Sequence, residues 1–116
     1  MKEKRIVVGT DFSPAPMGRD MEHFPWGGEA FRKKLLEPAL REYDRVVVDL
    51  AEVDGYGSSF LDEAFAGLIR HDGYSADQLK QKLVIMSSDA TLQISVDDAL
   101  QDIEDAVAEV MRKGKK

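Results

Sequence analysis

A chain of 116 residues without cysteine fits one domain, 1–116, and excludes disulfides, thiolate catalysis and cysteine zinc sites. The net charge is −6 without an extended basic stripe, so nucleic acid is not expected as a partner. No apolar run approaches the ~18 residues that a membrane span needs, and we expect a cytoplasmic protein because no signal peptide opens the sequence.

The first predicted elements are a short strand and a long loop. Apolar β-branched residues at 6–8 predict the strand. Three prolines and three glycines within 13–28 predict the loop, and loops of this length are more often functional than short ones. The loop carries the only tryptophan, Trp26, which we expect to pack on the core.

A helix and a buried strand are predicted next. Apolar residues recur at helical spacing over 29–43. Pro38 should break or kink this helix just before it, or should instead open a second short turn with Glu37 at the boundary. Arg32 is assigned to its outer face, with the neighbouring lysines. The continuous β-branched run within 45–50 predicts a strand that is covered on both faces.

A glycine-bearing turn at 54–57 then leads into a second amphipathic helix over 58–71. Either Ser58 or Ser59 would be its N-cap, with a side-chain oxygen that accepts a free backbone N–H. A turn that joins the carboxyl end of a strand to the start of a helix is where open α/β sheets hold ligands or partners. Residues 45–71 are therefore the predicted working region.

The last third of the chain predicts a helical turn at 75–80, a buried strand at 83–86 and a long amphipathic helix that reaches almost to the end. The start of the long helix is open between two alternatives. It could begin near Asp89, or Ser95 could be its N-cap after a short strand at 91–94. Strands that alternate with helices predict an α/β domain with a small mixed sheet and helices packed mainly on one face.

Charged residues around this region give several chemical alternatives. Arg19 could hold an anion in a bidentate fork, or it could form a salt bridge with Glu29 or Glu63. Glu63 could in turn reach Arg32, while Asp62 points elsewhere because adjacent helical residues diverge. Two convergent acids would be needed for a hydrolase. The spacing of the two histidines does not support a metal site.

The segment Asp49-Leu50, followed by Gly57-Ser58-Ser59-Phe60-Leu61, resembles the STAS domain, the fold of bacterial anti-sigma factor antagonists. That family has Asp-Leu and then Asp-Ser-Ser-Gly-Leu at the same spacing, so Ser58 matches its phosphorylated serine. Gly57 stands where the family has Asp, and Phe60 stands where it has Gly.

Three separated motifs are also similar to a STAS-like family of unknown function, and the similarity extends over roughly 5–90. The motifs are Gly18-Arg19, Gly28-Glu29-Ala30-Phe31-Arg32, and the stretch that begins Ser58-Ser59-Phe60 and continues through Asp62 and Glu63 to Leu68.

The resemblance implies a bacterial, non-enzymatic regulatory module that binds a protein partner and requires no cofactor or metal. The partner would be a kinase-like ATPase or an anti-sigma-type regulator, and Ser58 would be a phospho-switch. The contact surface would comprise loop 54–57, the following helix start with Gly57, Ser58, Ser59, Asp62 and Glu63, and loop 13–28. The alternative is a domain that binds a small ligand, nucleotide or phosphate through Arg19, Ser58 and Ser59. A third hypothesis is a hydrolase that uses Asp62 or Glu63. The sequence does not set the oligomeric state.

Overall fold

The structure is a computed structural model that describes residues 2–114. Its sheet has three strands in the order β1-β2-β3, and both neighbouring pairs are parallel. The strands are β1 (Glu3–Val7), β2 (Arg45–Asp49) and β3 (Leu83–Met86). The predicted α/β class is confirmed. The sequence predicts a mixed sheet, however, and every strand pair among the described residues is parallel, because helical crossovers join the strands.

Five helices lie within residues 2–114: α1 (Val8–Asp11), α2 (28–42), α3 (58–70), α4 (Ala76–Lys82) and α5 (Gln93–Lys113). Both α2 and α3 contain a π turn, at Arg32–Leu36 and Asp62–Ala66. The predicted break in α2 is wrong, because helical backbone continues through Pro38, but the alternative boundary at Glu37 is confirmed, since the π turn ends at Leu36 and an α-helical stretch begins at Glu37. The proline follows the π turn and lies in the first turn of the next α-helical stretch, where a missing N–H costs least.

The start of α5 follows the first of the two predicted alternatives. A single 3₁₀ turn, Ala90–Leu92, precedes it, and Asp89 is the N-cap of that turn through a hydrogen bond accepted from the Thr91 N–H. Residues 91–94 are therefore helical and do not form a strand. None of the helices in the described part of the chain is long and apolar enough to cross a membrane.

The helices pack on one face of the sheet, as predicted. The three strands lie side by side in the order in which they occur in the chain, so right-handed crossovers place successive helices on the same side of the sheet. On that side Ile6, Val46 and Val48 are fully buried against α2 and α3. On the other side Val47 and Val84 are paired in register and remain half-buried. The prediction that β2 is covered on both faces is therefore wrong for this structure.

Candidate functional site

The amino end of α3 is exposed and has no side-chain cap. Gly57 is the N-cap residue, in an extended conformation, and no side chain makes a capping hydrogen bond there. Ser58 and Ser59 are the first two helical residues, and both are exposed. The prediction that one of them caps α3 is wrong, because the helix already includes both serines. No side-chain oxygen therefore caps the first-turn N–H groups that lack a partner within the helix.

The turn before α3 is held at several points. The Tyr56 hydroxyl donates a hydrogen bond of 2.7 Å to the Leu50 carbonyl, and the Tyr56 ring lies 5.5 Å from the ring of Phe60. The Asp54 N–H donates to the Pro14 carbonyl at 3.1 Å. Burial and the nearby Asp49 carboxylate raise the pKa of Tyr56 above its ordinary value, so the phenol stays protonated as a donor. Ser58 is consequently presented from an anchored segment.

Asp49 organises the carboxyl end of the sheet. Its carboxylate is buried at the end of β2, where Oδ1 accepts hydrogen bonds from the N–H groups of Ala51 and Ser88. Its Oδ2 lies 2.7 Å from the Arg5 guanidinium. Burial acts to raise the pKa of Asp49, but these donors hold it below the ordinary value. One ionised side chain thus ties together the loops that follow β2 and β3.

The loop at 13–27 brings Arg19 to the side of α3. Gly18 has φ +89°, and a side chain there would collide with the ring of Phe24, so this position favours glycine. The carbonyls of Gly18 and Arg19 accept hydrogen bonds from the N–H groups of Gly28 and Glu29. Trp26 lies at the rim of this loop, 52% exposed and edge-on to another aromatic ring, so its predicted core position is wrong.

Asp62 joins three parts of the molecule. Its carboxylate lies 2.8 Å from Arg19 of the loop and 2.8 Å from Arg70 at the end of α3. Arg70 also lies 3.2 Å from Glu109 of α5. Burial acts to raise the pKa of Asp62, but the hydrogen bonds from both arginines hold it below the ordinary value. Asp62 is therefore ionised and shared between the two cations.

Glu63 forms the buried part of the same network. The Arg32 guanidinium lies 2.7 Å from Glu63 Oε2 and also donates to the Glu63 backbone carbonyl. Arg19 lies 3.4 Å from the other carboxylate oxygen. The predicted contacts of Glu63 with Arg19 and Arg32 are both confirmed. Because Arg32 and Glu63 belong to the π turns of α2 and α3, this pair lies where the two widened turns meet.

Arg32 is a core residue, so its predicted place on the outer face of α2 is wrong. Its side chain is 2% exposed and has two further carboxylate neighbours, Glu37 at 3.1 Å and Asp72 at 3.4 Å. Space for the guanidinium comes from Gly67, where a Cβ atom would lie 2.0 Å from Arg32 Nη1. Burial and the neighbouring Glu37 raise the pKa of Asp72 to about 6. The sequence analysis missed this close approach, and the glycine inside the predicted helix over 58–71 is the one pattern that could have indicated it.

The structure thus divides the predicted site residues into two groups. Arg19, Asp62 and Glu63 come together in the arginine–carboxylate network. Ser58 and Ser59 lie outside it, at the exposed helix start. Ser58 and Asp62 are four residues apart on one helix, so their Cβ atoms are separated by roughly 6 Å. A charge added at Ser58 would therefore lie beside Asp62 and close to the cations that hold it.

The two histidines occupy separate surfaces. His71 follows the last residue of α3, and its Nε2 lies 3.6 Å from Oε2 of Glu63. His23 Nδ1 donates a 2.6 Å hydrogen bond to the Asp20 carboxylate. The side chains of Asp20, Glu22 and His23 bring potential metal-ligand atoms within 4.8 Å of one another. Within residues 2–114 this is the one such group, and it lies on an exposed turn. Exposed acidic groups commonly adopt such arrangements without a metal ion.

Comparison with family models gives a match over residues 27–93 to the STAS-like domain of unknown function. The chain belongs to this family. The predicted STAS-like fold class is confirmed with it. Comparisons with curated proteins and with solved structures give no match.

The match runs from the start of α2 to the first residue of α5 of this STAS-like domain. It includes the uncapped helix start and the buried pair of Arg32 and Glu63. It leaves out Arg19, which the loop at 13–27 supplies, and nearly all of α5. Arg19, which pairs with Asp62, and Glu109, which pairs with Arg70, therefore both lie outside the matched region.

Proposed function

We propose that this STAS-like domain is a non-enzymatic regulatory module that binds a protein partner through the amino end of α3 and the turn before it. The observation that carries the proposal is the uncapped, exposed start of α3 with Ser58 as its first residue. By the resemblance of this segment to anti-sigma factor antagonists, the partner is a kinase-like ATPase or an anti-sigma-type regulator, and Ser58 is the residue that it phosphorylates.

Helix geometry supports a phosphate at Ser58. The free N–H groups of a first helical turn and the positive end of the helix dipole stabilise an anion at that place. A phosphate adds nearly two negative charges at neutral pH, on a chain whose net charge is already −6. The helix would therefore remain folded, while the surface around Ser58 would become more negative and would repel a partner that binds the unmodified surface.

The rigidity of the surroundings favours a switch that acts through charge and leaves the fold unchanged. The turn is fixed by Tyr56 and by the loop contacts around Asp49, and α3 is fixed by the buried pair of Arg32 and Glu63. The exposed serines make no part of these contacts. Modification of Ser58 therefore leaves the packing of α3 intact and alters what a partner encounters.

The second hypothesis, a small-ligand, nucleotide or phosphate site formed by Arg19, Ser58 and Ser59, has a competitor on the protein itself. Arg19 already pairs with Asp62 and Glu63, so an anion would have to draw it away from two carboxylates. The hydrolase hypothesis is disfavoured for the same reason, because both acids are neutralised by arginines. A thermal-shift screen with nucleotides and phosphorylated metabolites tests ligand binding, since a ligand at 100 times its Kd stabilises a protein by about 2.7 kcal/mol.

The deciding experiment is a pull-down from the native host with wild-type, Ser58→Glu and Gln101→Glu baits, identified by mass spectrometry. Gln101 is exposed on α5, so its substitution adds the same charge away from the start of α3. We expect a partner on the wild-type and Gln101→Glu baits that is absent from Ser58→Glu. The same partner on all three baits would contradict the switch, and no partner on any bait would favour ligand binding.

A further inference from the structure

A second surface, separate from Ser58, is an apolar groove bounded by α4, β3 and α5, which we call the α4–α5 groove. It has a volume of about 430 Å³. Its floor comes from Leu83 and Ile85 of β3, one wall from α4 with Leu79, and the other wall from α5 with Leu100 and Met111. None of its lining residues belongs to α3 or to the turn before it.

The α5 wall has the pattern of a helix-packing seam. The lining residues Leu100, Glu104, Val107 and Met111 follow one another at steps of four, three and four residues, which places them on one side of α5. Leu100 is 46% exposed and Met111 is 60% exposed. From Leu100 to Met111 the seam is about 16 Å long at 1.5 Å per residue. Its length and spacing suit an amphipathic helix of about three turns.

Charge distinguishes the candidate occupants of the groove. α5 carries six carboxylates and two cations: Asp97, Asp98, Asp102, Glu104, Asp105 and Glu109 against Arg112 and Lys113. Of the residues that line the groove, Glu104 on α5 is acidic and Lys80 on α4 is basic. Asp97 is exposed and lies seven residues before Glu104, so it extends the acidic edge on the same side of α5. A second copy of the chain would bring another acidic α5 and a further net charge of −6 to this surface, which opposes self-association.

We propose that the α4–α5 groove binds an amphipathic helix of a partner protein whose polar face is basic. Apolar side chains of that helix fill the space between α4 and α5, over Leu83 and Ile85. Basic side chains of the same helix lie along Asp97 and Glu104. The surface is independent of the one proposed at Ser58, so a partner bound there could remain attached when Ser58 is modified.

The test uses a fluorescein-labelled synthetic peptide of about 14 leucine and lysine residues, with leucine at helical spacing on one face. Fluorescence anisotropy with the full chain measures its Kd. We expect Leu100→Asp and Met111→Asp each to weaken binding about tenfold or more, equivalent to about 1.4 kcal/mol. Glu104→Lys should weaken binding and reduce its dependence on salt concentration.

The matched control is Ile94→Asp, which makes the same kind of change on α5 at a residue 73% exposed and outside the groove. It should leave the Kd within about twofold, because it touches neither the apolar floor nor the seam. Circular dichroism melting shows whether each variant is folded. A scrambled leucine–lysine peptide and a leucine–glutamate peptide of the same pattern should bind weakly.

Three results would overturn the proposal. The first is failure of the leucine–lysine peptide to bind the folded wild-type chain. The second is equal weakening by Ile94→Asp, or equal binding of the scrambled or leucine–glutamate peptide. The third is a dimer in sedimentation velocity that Leu100→Asp dissociates, because the groove would then be filled by a second copy. Ser58→Glu should leave peptide binding unchanged whether or not the proposed switch exists.

Discussion

Arg32 carries a positive charge into the core, and four neighbouring groups make this tolerable. Its guanidinium contacts the carboxylates of Glu63, Glu37 and Asp72 and donates to one backbone carbonyl. Burial acts to lower the pKa of Arg32, but these acids raise it above the ordinary value, so the charge persists. No side-chain nitrogen or oxygen that is buried in residues 2–114 lacks a hydrogen-bond partner.

The first prediction concerns removal of this charge. Arg32→Met should lower the free energy of unfolding by about 3–5 kcal/mol, because the buried carboxylate of Glu63 would lose its nearest cation. Urea denaturation followed by circular dichroism measures the change. The neighbouring, exposed Lys33→Met is the control and should alter stability by less than about 1 kcal/mol. Similar losses for the two variants would show that the buried pair contributes little.

The second prediction concerns the space that Gly67 provides. Alanine is normally favoured over glycine in a helix by about 1 kcal/mol. Gly67→Ala should nevertheless destabilise the protein, because its Cβ would lie 2.0 Å from Arg32 Nη1 and displace the guanidinium. Gly55→Ala is the control, since a Cβ there has no atom within 4 Å. A rise in melting temperature for Gly67→Ala would contradict the close approach.

Among the helices, α5 combines a packing role with a concentration of negative charge. Val96, Ala99 and Ala106 are buried against the core, and Ile103 packs beside them. Asp102 faces toward α3, and burial together with the carboxylates of Asp62, Asp98 and Asp105 raises its pKa to about 6, although Arg70 opposes this rise. On the packing face of α5, the protonated form of Asp102 is therefore stabilised relative to its form in the unfolded chain.

The third prediction follows from this raised pKa. The folded chain holds the Asp102 proton more tightly than the unfolded chain, whose pKa is 3.8, so stability falls as the pH rises from about 4 to about 6. Asp102→Asn should raise the melting temperature at pH 7 and change it little at pH 4. Asp72, whose pKa is also about 6, contributes in the same pH range. The loss of stability between pH 4 and pH 6 will therefore be smaller in Asp102→Asn without disappearing.

Melting temperatures across pH 4 to 7 measure this effect, with Asp97→Asn as the control. Asp97 lies on the same helix and is exposed, so Asp97→Asn measures the general effect of removing one negative charge from α5. Equal gains at pH 7 for the two variants would indicate a general effect of lowering the net charge. Asp62 and Asp49 act in a different window, because their lowered pKa values stabilise the fold above pH 3.8 and this stabilisation is lost below it.

At the scale of the whole molecule, the matched family region of 27–93 is an incomplete core. It lacks β1, which pairs along the whole of β2, and it lacks α5, which packs against α3 and β3. Ile6 and Val96 are both buried in the same core cluster. The segments outside the match are therefore part of the domain and not appendages.

The fourth prediction is that a fragment comprising 27–93 will not fold cooperatively. Loss of β1 and α5 exposes the apolar residues of β2 and α3, and a chain of this size already buries little surface. Urea denaturation of the fragment should lack the single sigmoidal transition of the full chain. The control fragment 1–112 lacks only the last four residues of the chain and should retain that transition. A cooperative transition for 27–93 would show that the matched region is self-sufficient.

Much of this fold was predictable because it depends on local patterns. Continuous β-branched residues marked β2, a short apolar run marked β3, and apolar residues at helical spacing marked α2, α3 and α5. The alternation of strands and helices implied a crossover sheet with helices mainly on one face. The sequence also offered Arg19 and Arg32 as partners of Glu63, and both contacts form. The elements and their order follow from the chain order of residue types alone.

Tertiary packing decided the remainder. Arg32 looks like a surface residue in its helix, and only the meeting of two π turns over Gly67 makes a buried place for it. The sequence placed the helix start at 58 but assigned a capping role to a serine, whereas in the structure Gly57 is the N-cap residue and both serines are exposed. The sequence by itself determined the elements and the charge of the chain. The structure decided which charges are paired inside, which serines are left exposed and where α5 leaves an apolar groove, because each depends on distances between segments remote in sequence.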